Sequence, residues 1–498
     1  MTNTKNNENK SATEESKLAP APAEMKDEIV VTEHEMVIDG QVLHYTATTG
    51  LMVMKEEEGK AKAKIFFIAY TKKDVVDVST RPLTISFNGG PGSSSVWLHL
   101  GVLGPKRVLS GDVGHIAPPP YRLTANEYTL LQSSDLVFVD PVSTGYSRPA
   151  PGEEAKQFHG LEKDIASVGD FIRLYVTRYQ RWNSPKYLIG ESYGTTRAAG
   201  LAGYLQDRHG MFLNGLLLVS VILNFQTARF DLGNDLPFLL FLPTYAATAL
   251  YHHKVKPAPG QDVKMFLAAV EQFALHEYAL ALLQGDRLPP AEREQIVQQL
   301  AAYTGLSPAY LEQTNLRIQI HRFVKELLRS ERRTIGRLDT RFQGVDRDAA
   351  GEGFEYDPSY AAIQGPYTAT LNDYVRRELG FESDLPYEIL TGLYEQWDYG
   401  SHQNQYVNVA ETLRSAMSKN EFLRVLVANG YYDLATPYFA TEYTFNHLAL
   451  DPALQRNIVM TYYEAGHMMY LHEPSLIQLS QDLRAFIEEG VTPNRPEG

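Results

Sequence analysis

No cysteine occurs among the 498 residues. That absence removes disulfides, thiolate nucleophiles and thiolate metal sites together, so a side-chain nucleophile here is an oxygen or a lysine. An excess of positive charge is missing as well. Lys and Arg number 46 against 60 Asp and Glu, a formal net charge of −14, which argues against binding a phosphate backbone, and nucleic acid is not an expected partner. Long apolar runs are scarce too. The longest stretches, residues 212–225 and 236–250, are too short, or too interrupted by Pro237 and Pro243, to span a bilayer, and no membrane insertion is expected. Residues 1–28 are rich in Asn, Lys, Glu, Ser, Ala and Pro, hold no apolar run of secretory-signal length, and read as a disordered tail. As written the chain reads as cytoplasmic; a periplasmic or secreted protein whose signal has been removed would read the same way.

What is present is organised by rhythm. An Asp39-Gly40 hairpin signal and apolar runs over 42–54 and 65–70, separated by Glu56-Glu57-Glu58-Gly59, predict antiparallel opening strands. Short apolar strands then alternate with helix-length segments: 83–87, 135–139, 186–189, 216–222, 424–428 and 457–462. This is the pattern of an α/β fold with a mostly parallel central sheet. Leu161, Ile165, Val168, Phe171, Ile172, Tyr175 and Tyr179 recur at three-to-four spacing and predict a helix lying on that sheet. The alternation stops after Ile222 and resumes near Arg424. Between them, 265–283, 291–303 and 318–329 have helical character, so 225–411 reads as a helical insertion, a lid or cap, in a core formed by 29–224 and 412–492.

The chemistry is carried by Gly190-Glu191-Ser192-Tyr193-Gly194, which follows an apolar strand and precedes a helix rich in small residues. A serine on such a tight turn is lifted clear of the sheet beside the positive end of a helix, and the glycines leave room for the turn. Ser192 is therefore the candidate nucleophile of an α/β-hydrolase fold. A serine hydroxyl needs a base held by a carboxylate, and in this fold they follow in the order Ser, Asp, His. Asp433 and His467 stand just past the strands 424–428 and 457–462 in that order. The oxyanion needs two amide donors: Tyr193 supplies one, and the loop Asn88-Gly89-Gly90-Pro91-Gly92-Ser93-Ser94-Ser95 the other, from Gly90. Taken singly, a loop histidine, a turn aspartate and a glycine loop each have bland explanations.

Five motifs in order, Asn88-Gly-Gly-Pro-Gly-Ser-Ser, Asp140-Pro-Val-Ser-Thr-Gly-Tyr-Ser147, Gly190-Glu-Ser-Tyr-Gly194, Asn429-Gly-Tyr-Tyr-Asp433 and Gly466-His467-Met468, resemble the serine carboxypeptidase family over the core on both sides of the insertion. The cysteine-free chain suits a bacterial-type member. The resemblance implies release of a C-terminal residue through an acyl-enzyme, with Ser192, Asp433 and His467 as triad, the Gly90 and Tyr193 amides as oxyanion hole, and no cofactor. It also implies that Asn88, Gly89 and Glu191 bind the substrate's terminal carboxylate, for which Glu191 must be protonated, so activity should favour acid pH. Three departures matter. The second glutamate that pairs with the first falls at Val102, the tryptophan expected two residues before Asn88 is Ser86, and the loop's usual cysteine is Ser93. Val102 and Ser86 favour a rival reading as an esterase or acyltransferase; a catalytically silent binding protein on the same fold is a third.

Other features are read more plainly. Asp346, Asp348 and Asp357 have partial calcium-loop spacing but lack the position-five ligand, so a solvated acidic loop is expected. No histidine pattern supports a metal site. The apolar run 236–251 is expected in the lid core, and Tyr463 and Met468 are candidates to touch substrate, with packing as the safer reading.

Overall fold

A computed structural model of the chain describes residues 25–109, 111, 113, 118–257 and 261–491. Of the tail expected over 1–28, residues 1–24 lie outside the described residues. Asp27 already belongs to the fold, for its carboxylate accepts from the Val53 amide at 2.8 Å and pairs with Arg178.

Alternating, β-branched sequence forms β1 (Glu28–Ile38) and β2 (Gln41–Lys55). They join at Asp39-Gly40, where both residues have positive φ, 51° and 76°, a two-residue turn whose twist matches that of the strands it connects. β3 (Ala61–Lys72) returns antiparallel to β2. There follow β4 (Leu83–Phe87), β5 (Asp135–Val139), β6 (Lys186–Ser192), β7 (Gly215–Val221), β8 (Arg424–Gly430) and β9 (Ile458–Tyr463). The order across the sheet is β1-β2-β3-β5-β4-β6-β7-β8-β9, with Arg148–Pro149 as a short strand beside β3. From β5 to β9 every neighbouring pair is parallel. β4 to β8 are buried almost throughout, as strands covered on both faces must be, which is why they read as continuous apolar runs.

α1 (Leu161–Arg178) turns its buried stripe onto one face of this sheet beside α2 (Tyr193–His209). Between β7 and β8 the chain leaves the sheet. α3 (Leu242–Tyr251), α4 (Val263–Phe273), α5 (Pro290–Thr304) and α6 (Ile320–Glu326) surround a core of their own that includes Phe241, Tyr245, Val270, Leu300 and Phe323. The run 236–251 sits there. α4 continues through a π turn, so that Val263–Arg287 is one helical stretch of 25 residues, by length and composition enough to cross a bilayer and longer than any run weighed in the sequence. In the fold its Phe266, Val270, Phe273 and Tyr278 pack into the lid core.

One long insertion helix is not foreshadowed by the sequence. α7 (Pro358–Arg377) lays Ile363, Tyr367, Leu371 and Tyr374 against Trp97, Tyr70 and Phe138, in the core under the first strands. Gly365-Pro366 at its middle looks like a breaker; here the bare Gly365 admits the Tyr121 hydroxyl, 2.8 Å from where a Cβ would stand. In the acidic loop expected to be solvated, Asp348 is exposed, and one residue differs. Asp346 is buried against the ammonium of Lys325 from α6, which also donates to the Asp348 carbonyl, since a buried carboxylate requires a paired charge. α8 (Ala410–Lys419) then returns to the face held by α1 and α2, α9 (Tyr438–Asn446) follows β8 into the lid core, and α10 (Glu473–Val491) covers the opposite face. The carboxyl ends of β4, β6, β7, β8 and β9 open on one side, where ligands of parallel sheets bind.

Candidate active site

Ser192 is the last residue of β6 and the cap of α2, with φ 61° and ψ −130°. A non-glycine residue held there carries strain of about 1–3 kcal/mol. The turn closes only because its flanks are bare: a Cβ on Gly190 would stand 2.2 Å from the Gly194 carbonyl oxygen, and one on Gly194 2.9 Å from that of Phe87. Among the described residues Ser192 Oγ makes no hydrogen bond. Such contacts commonly tighten only when substrate binds.

The loops after β8 and β9 bring Asp433 and His467 together, 34 residues apart in sequence. His467 Nδ1 lies 2.7 Å from Asp433 Oδ2, both side chains buried. The carboxylate also accepts from the amides of Ala435 (2.7 Å) and Thr436 (3.1 Å) and from Thr436 Oγ1 (2.8 Å). Thr436 was not singled out from the sequence, although an aspartate three residues before a threonine at a turn is the pattern of a side chain capping its own loop. Burial works against a charged imidazole at His467, but the charge and hydrogen bond of Asp433, with Glu191 behind them, raise its pKa above the ordinary 6.5, and Arg337 opposes. Ser220, at positive φ beside an irregularity in the β6–β7 pairing, donates to the His467 carbonyl at 2.6 Å.

The insertion braces both loops. The carbonyl of Arg337 accepts from the Leu434 amide at 3.0 Å, and that of Leu338 from the His467 amide at 2.7 Å. Arg341, paired with Asp339, donates to the Glu464 carbonyl at 2.7 Å. Gly466 has no room for a side chain: a Cβ would stand 2.4 Å from that of Asp339. These supports join residues about a hundred or more positions apart, and no local pattern announces them.

On the other side of Ser192 the glycine loop closes over the elbow. A Cβ on Gly89 would lie 2.4 Å from the Tyr193 nitrogen, and Gly90 has φ 103°. The amides of Gly90 and Tyr193 donate no hydrogen bond among the described residues. Arg197 of α2, buried and paired with Asp164 at 2.7 Å, donates to the Asn88 carbonyl and fixes the loop to the helix. Ser93 accepts from Trp97 Nε1 at 2.9 Å and bridges to Leu390, whereas Ser86 is buried in β4 with its hydroxyl unpaired among the described residues.

Glu191 is buried beneath this loop. Asn88 Nδ2 donates to its Oε1 at 2.9 Å and the Tyr470 hydroxyl to its Oε2 at 2.7 Å. Burial pushes its carboxyl up to about 7, against the opposing pull of His467, Tyr470 and Asn88 and with a further push from Asp433. Val102, where the second glutamate was counted, is buried in the apolar core and offers only its carbonyl, to Asn126. The ring of Tyr470 passes over neighbouring Gly101, where a Cβ would stand 2.3 Å from it. A tyrosine from beyond His467 thus donates to Glu191, and no local pattern in the sequence announces it.

All eight candidates except Asp433 line one cavity of about 580 Å³; Asp433 stands behind His467. The insertion contributes His321, Arg337, Leu338, Phe354, Tyr360 and Tyr394 to the wall. Met468 lines it as well, whereas Tyr463 turns its hydroxyl to Asp482 of α10 at 2.6 Å.

Residues 39–223 match the family model described as serine carboxypeptidase. Serine carboxypeptidase-like 33 of Arabidopsis thaliana is 27% identical over 184 residues, 36% of this chain and 35% of that protein. Pheromone-processing carboxypeptidase KEX1 of Saccharomyces cerevisiae is 31% identical over 145 residues, 28% and 19% of the two chains. The aligned part spans about a third or less of these relatives. The crystal structure of the yeast prohormone-processing carboxypeptidase Kex1 superposes with a TM-score of 0.55 at 17% identity, covering 89% of this chain and 91% of that one. The likeness in structure is one of fold, an α/β-hydrolase with a mostly parallel sheet, and it is residues 39–223, with the Asn88 loop and the Ser192 turn, that match the serine carboxypeptidase family.

Proposed function

We propose that this protein is a serine carboxypeptidase, which releases the C-terminal residue of a peptide through an acyl-enzyme. The observation that carries this beyond a general hydrolase is Glu191, buried one residue before the nucleophile and raised to about 7, where a protonated carboxyl can donate to a substrate carboxylate at mildly acid pH. Asn88 and Gly89 complete that receptor. Ser192 Oγ attacks the scissile carbonyl while His467 takes its proton, and Asp433 holds the imidazole in the tautomer whose Nε2 is free to do so. The Gly90 and Tyr193 amides receive the oxyanion. As the tetrahedral intermediate collapses, the C–N bond breaks and His467 returns the proton to the leaving amine. Water, deprotonated by the same histidine, then attacks the acyl-enzyme, and Ser192 is regenerated with its proton as the acid departs.

The two ionisations set opposite limits. Catalysis needs His467 neutral, so turnover rises with pH through its raised pKa. Reading the terminal carboxylate needs Glu191 protonated, so that advantage is lost as pH climbs through about 7. Bacterial-type membership rests on the lack of cysteine, while the named relatives are plant and yeast proteins.

An esterase or acyltransferase is the second reading, favoured by the loss of the second glutamate at Val102. Hydrolysis of an N-blocked dipeptide, its C-terminal amide and a simple ester at pH 5.5 separates the two. A carboxypeptidase prefers the free dipeptide to its amide, and equal rates favour the esterase. Fluorophosphonate labelling that disappears in Ser192→Ala, with turnover down by about 10⁶, rules out a silent binding protein; persistent labelling would move the nucleophile elsewhere.

A further inference from the structure

Where this protein buries a guanidinium for structural purposes, it pairs it. Arg81 and Arg181 share Asp135, Arg197 holds Asp164, and Arg341 holds Asp339. Half-buried Arg484 in α10 keeps a buried Nε without a partner among the described residues, and a second half-buried guanidinium without a partner is that of Arg337. Arg337 lines the same cavity as Ser192 and His467, and its guanidinium forms no ion pair or hydrogen bond among the described residues. Its backbone is fixed at both ends, the amide donating to Asp357 Oδ1 at 3.2 Å and the carbonyl accepting from Leu434 at 3.0 Å.

The nearest carboxylate offsets part of that charge but forms no ion pair with it. Asp357 is the one carboxylate on the insertion's side of the cavity, and its Oδ1 is occupied by Ser359 Nα and Oγ as the cap of α7. His321 is beside Arg337, and Arg229 stands on the rim where a second groove, lined by Phe225, Arg229 and Tyr399, joins the first. Leu338, Phe354 and Tyr360 supply apolar walls. Burial holds the His321 imidazole below its ordinary value, so the cations of this wall are Arg337 and Arg229. An anion brought there gives up hydration, and a direct, charge-assisted pairing with a guanidinium already partly stripped of water offsets that cost.

We propose that Arg337 binds an acidic side chain on the acyl side of the scissile bond, so that the enzyme prefers Glu or Asp as the residue that acylates Ser192. The proposal rests on Ser192 as the acyl-accepting nucleophile. We place that side chain on the acyl side because Arg337 is bound through its carbonyl to Leu434, next to Ala435 and Thr436 of the cavity wall, while Asn88, Gly89 and Glu191, the receptor for the leaving residue's carboxylate, lie on the side of the glycine loop.

The test uses methyl esters of N-blocked Glu and N-blocked Gln, which need no free C-terminus. The wild-type enzyme should favour Glu by at least about tenfold in kcat/KM at low salt, and less at high salt. Arg337→Gln should bring the ratio close to one, Arg337→Lys should keep much of it, and Arg337→Glu should favour the N-blocked Lys ester instead. Fluorophosphonate labelling of each variant certifies its folded site. A wild-type ratio near one, a ratio that survives Arg337→Gln, no turnover of either ester by labelled enzyme, or a preference confined to the leaving residue of dipeptides would each overturn the proposal. If esters show the ratio but free dipeptides are not cleaved, it is the terminal-carboxylate reading that fails and Arg337 stands.

Discussion

Tyr470 donates one hydrogen bond to the Glu191 carboxyl, whose proton a second glutamate would share, and the difference is measurable. Its bond and that of Asn88 both favour the ionised form of Glu191, and burial, with a smaller push from Asp433, acts the other way. Tyr470 itself is held far above its ordinary value by burial and so stays a donor. Removing that donor in Tyr470→Phe should raise the Glu191 pKa further. The falling limb of dipeptide hydrolysis is expected to move to higher pH by about one unit, while the profile for a simple ester stays put. A limb that stays in place, or moves to lower pH, would show that Tyr470 does not tune Glu191. At this scale the sequence was legible where chemistry is local: Glu191, Ser192 and the glycine loop are contiguous motifs. Tyr470 was not, because it lies 279 positions from Glu191 and no local pattern links them.

Among elements, the strands of the parallel sheet were readable because burial on both faces leaves short unbroken apolar runs; 83–87 and 135–139 appear with their expected limits. α7 was hidden by Gly365-Pro366, and the brace at 337–341 by having no secondary structure or periodicity of its own. That brace has a consequence for catalysis. Gly466→Ala would drive a Cβ into Asp339, where both the Cα and Cβ lie within 2.6 Å of it, and would shift the adjacent His467. A displacement of about 1 Å at a catalytic group lowers turnover roughly a hundredfold. We expect a loss of that order in kcat for Gly466→Ala on esters and peptides alike, with far-UV circular dichroism unchanged. Near-normal kcat would show that the loop absorbs the change and that the contact with the insertion is dispensable.

For the molecule as a whole, lid and core are not separable bodies. The core of the lid takes in Leu434, Tyr438 and Phe439 from the chain after β8, and α7 of the insertion is built into the core beneath β1 to β3. Unfolding one exposes apolar surface of the other, so calorimetry should show a single cooperative transition, lowered as a unit by Arg341→Ala, which leaves Asp339 buried and unpaired at about 3–5 kcal/mol. Two resolved transitions would contradict this. A change of rhythm marks where the strand alternation stops and resumes; that part of the intervening chain completes the core and part lines the cavity was not legible, because those contacts depend on the chain closing on itself.

The sharpest measurement is the ratio of kcat/KM for an N-blocked dipeptide to that for its C-terminal amide, taken from pH 4 to 8 in the wild-type enzyme and in Glu191→Gln. If Glu191 reads the terminal carboxylate, the wild-type ratio is well above one at acid pH and falls as pH passes about 7, whereas in Glu191→Gln, which cannot ionise, the ratio no longer changes with pH. A wild-type ratio near one throughout, or a fall with pH that persists in Glu191→Gln, would contradict it.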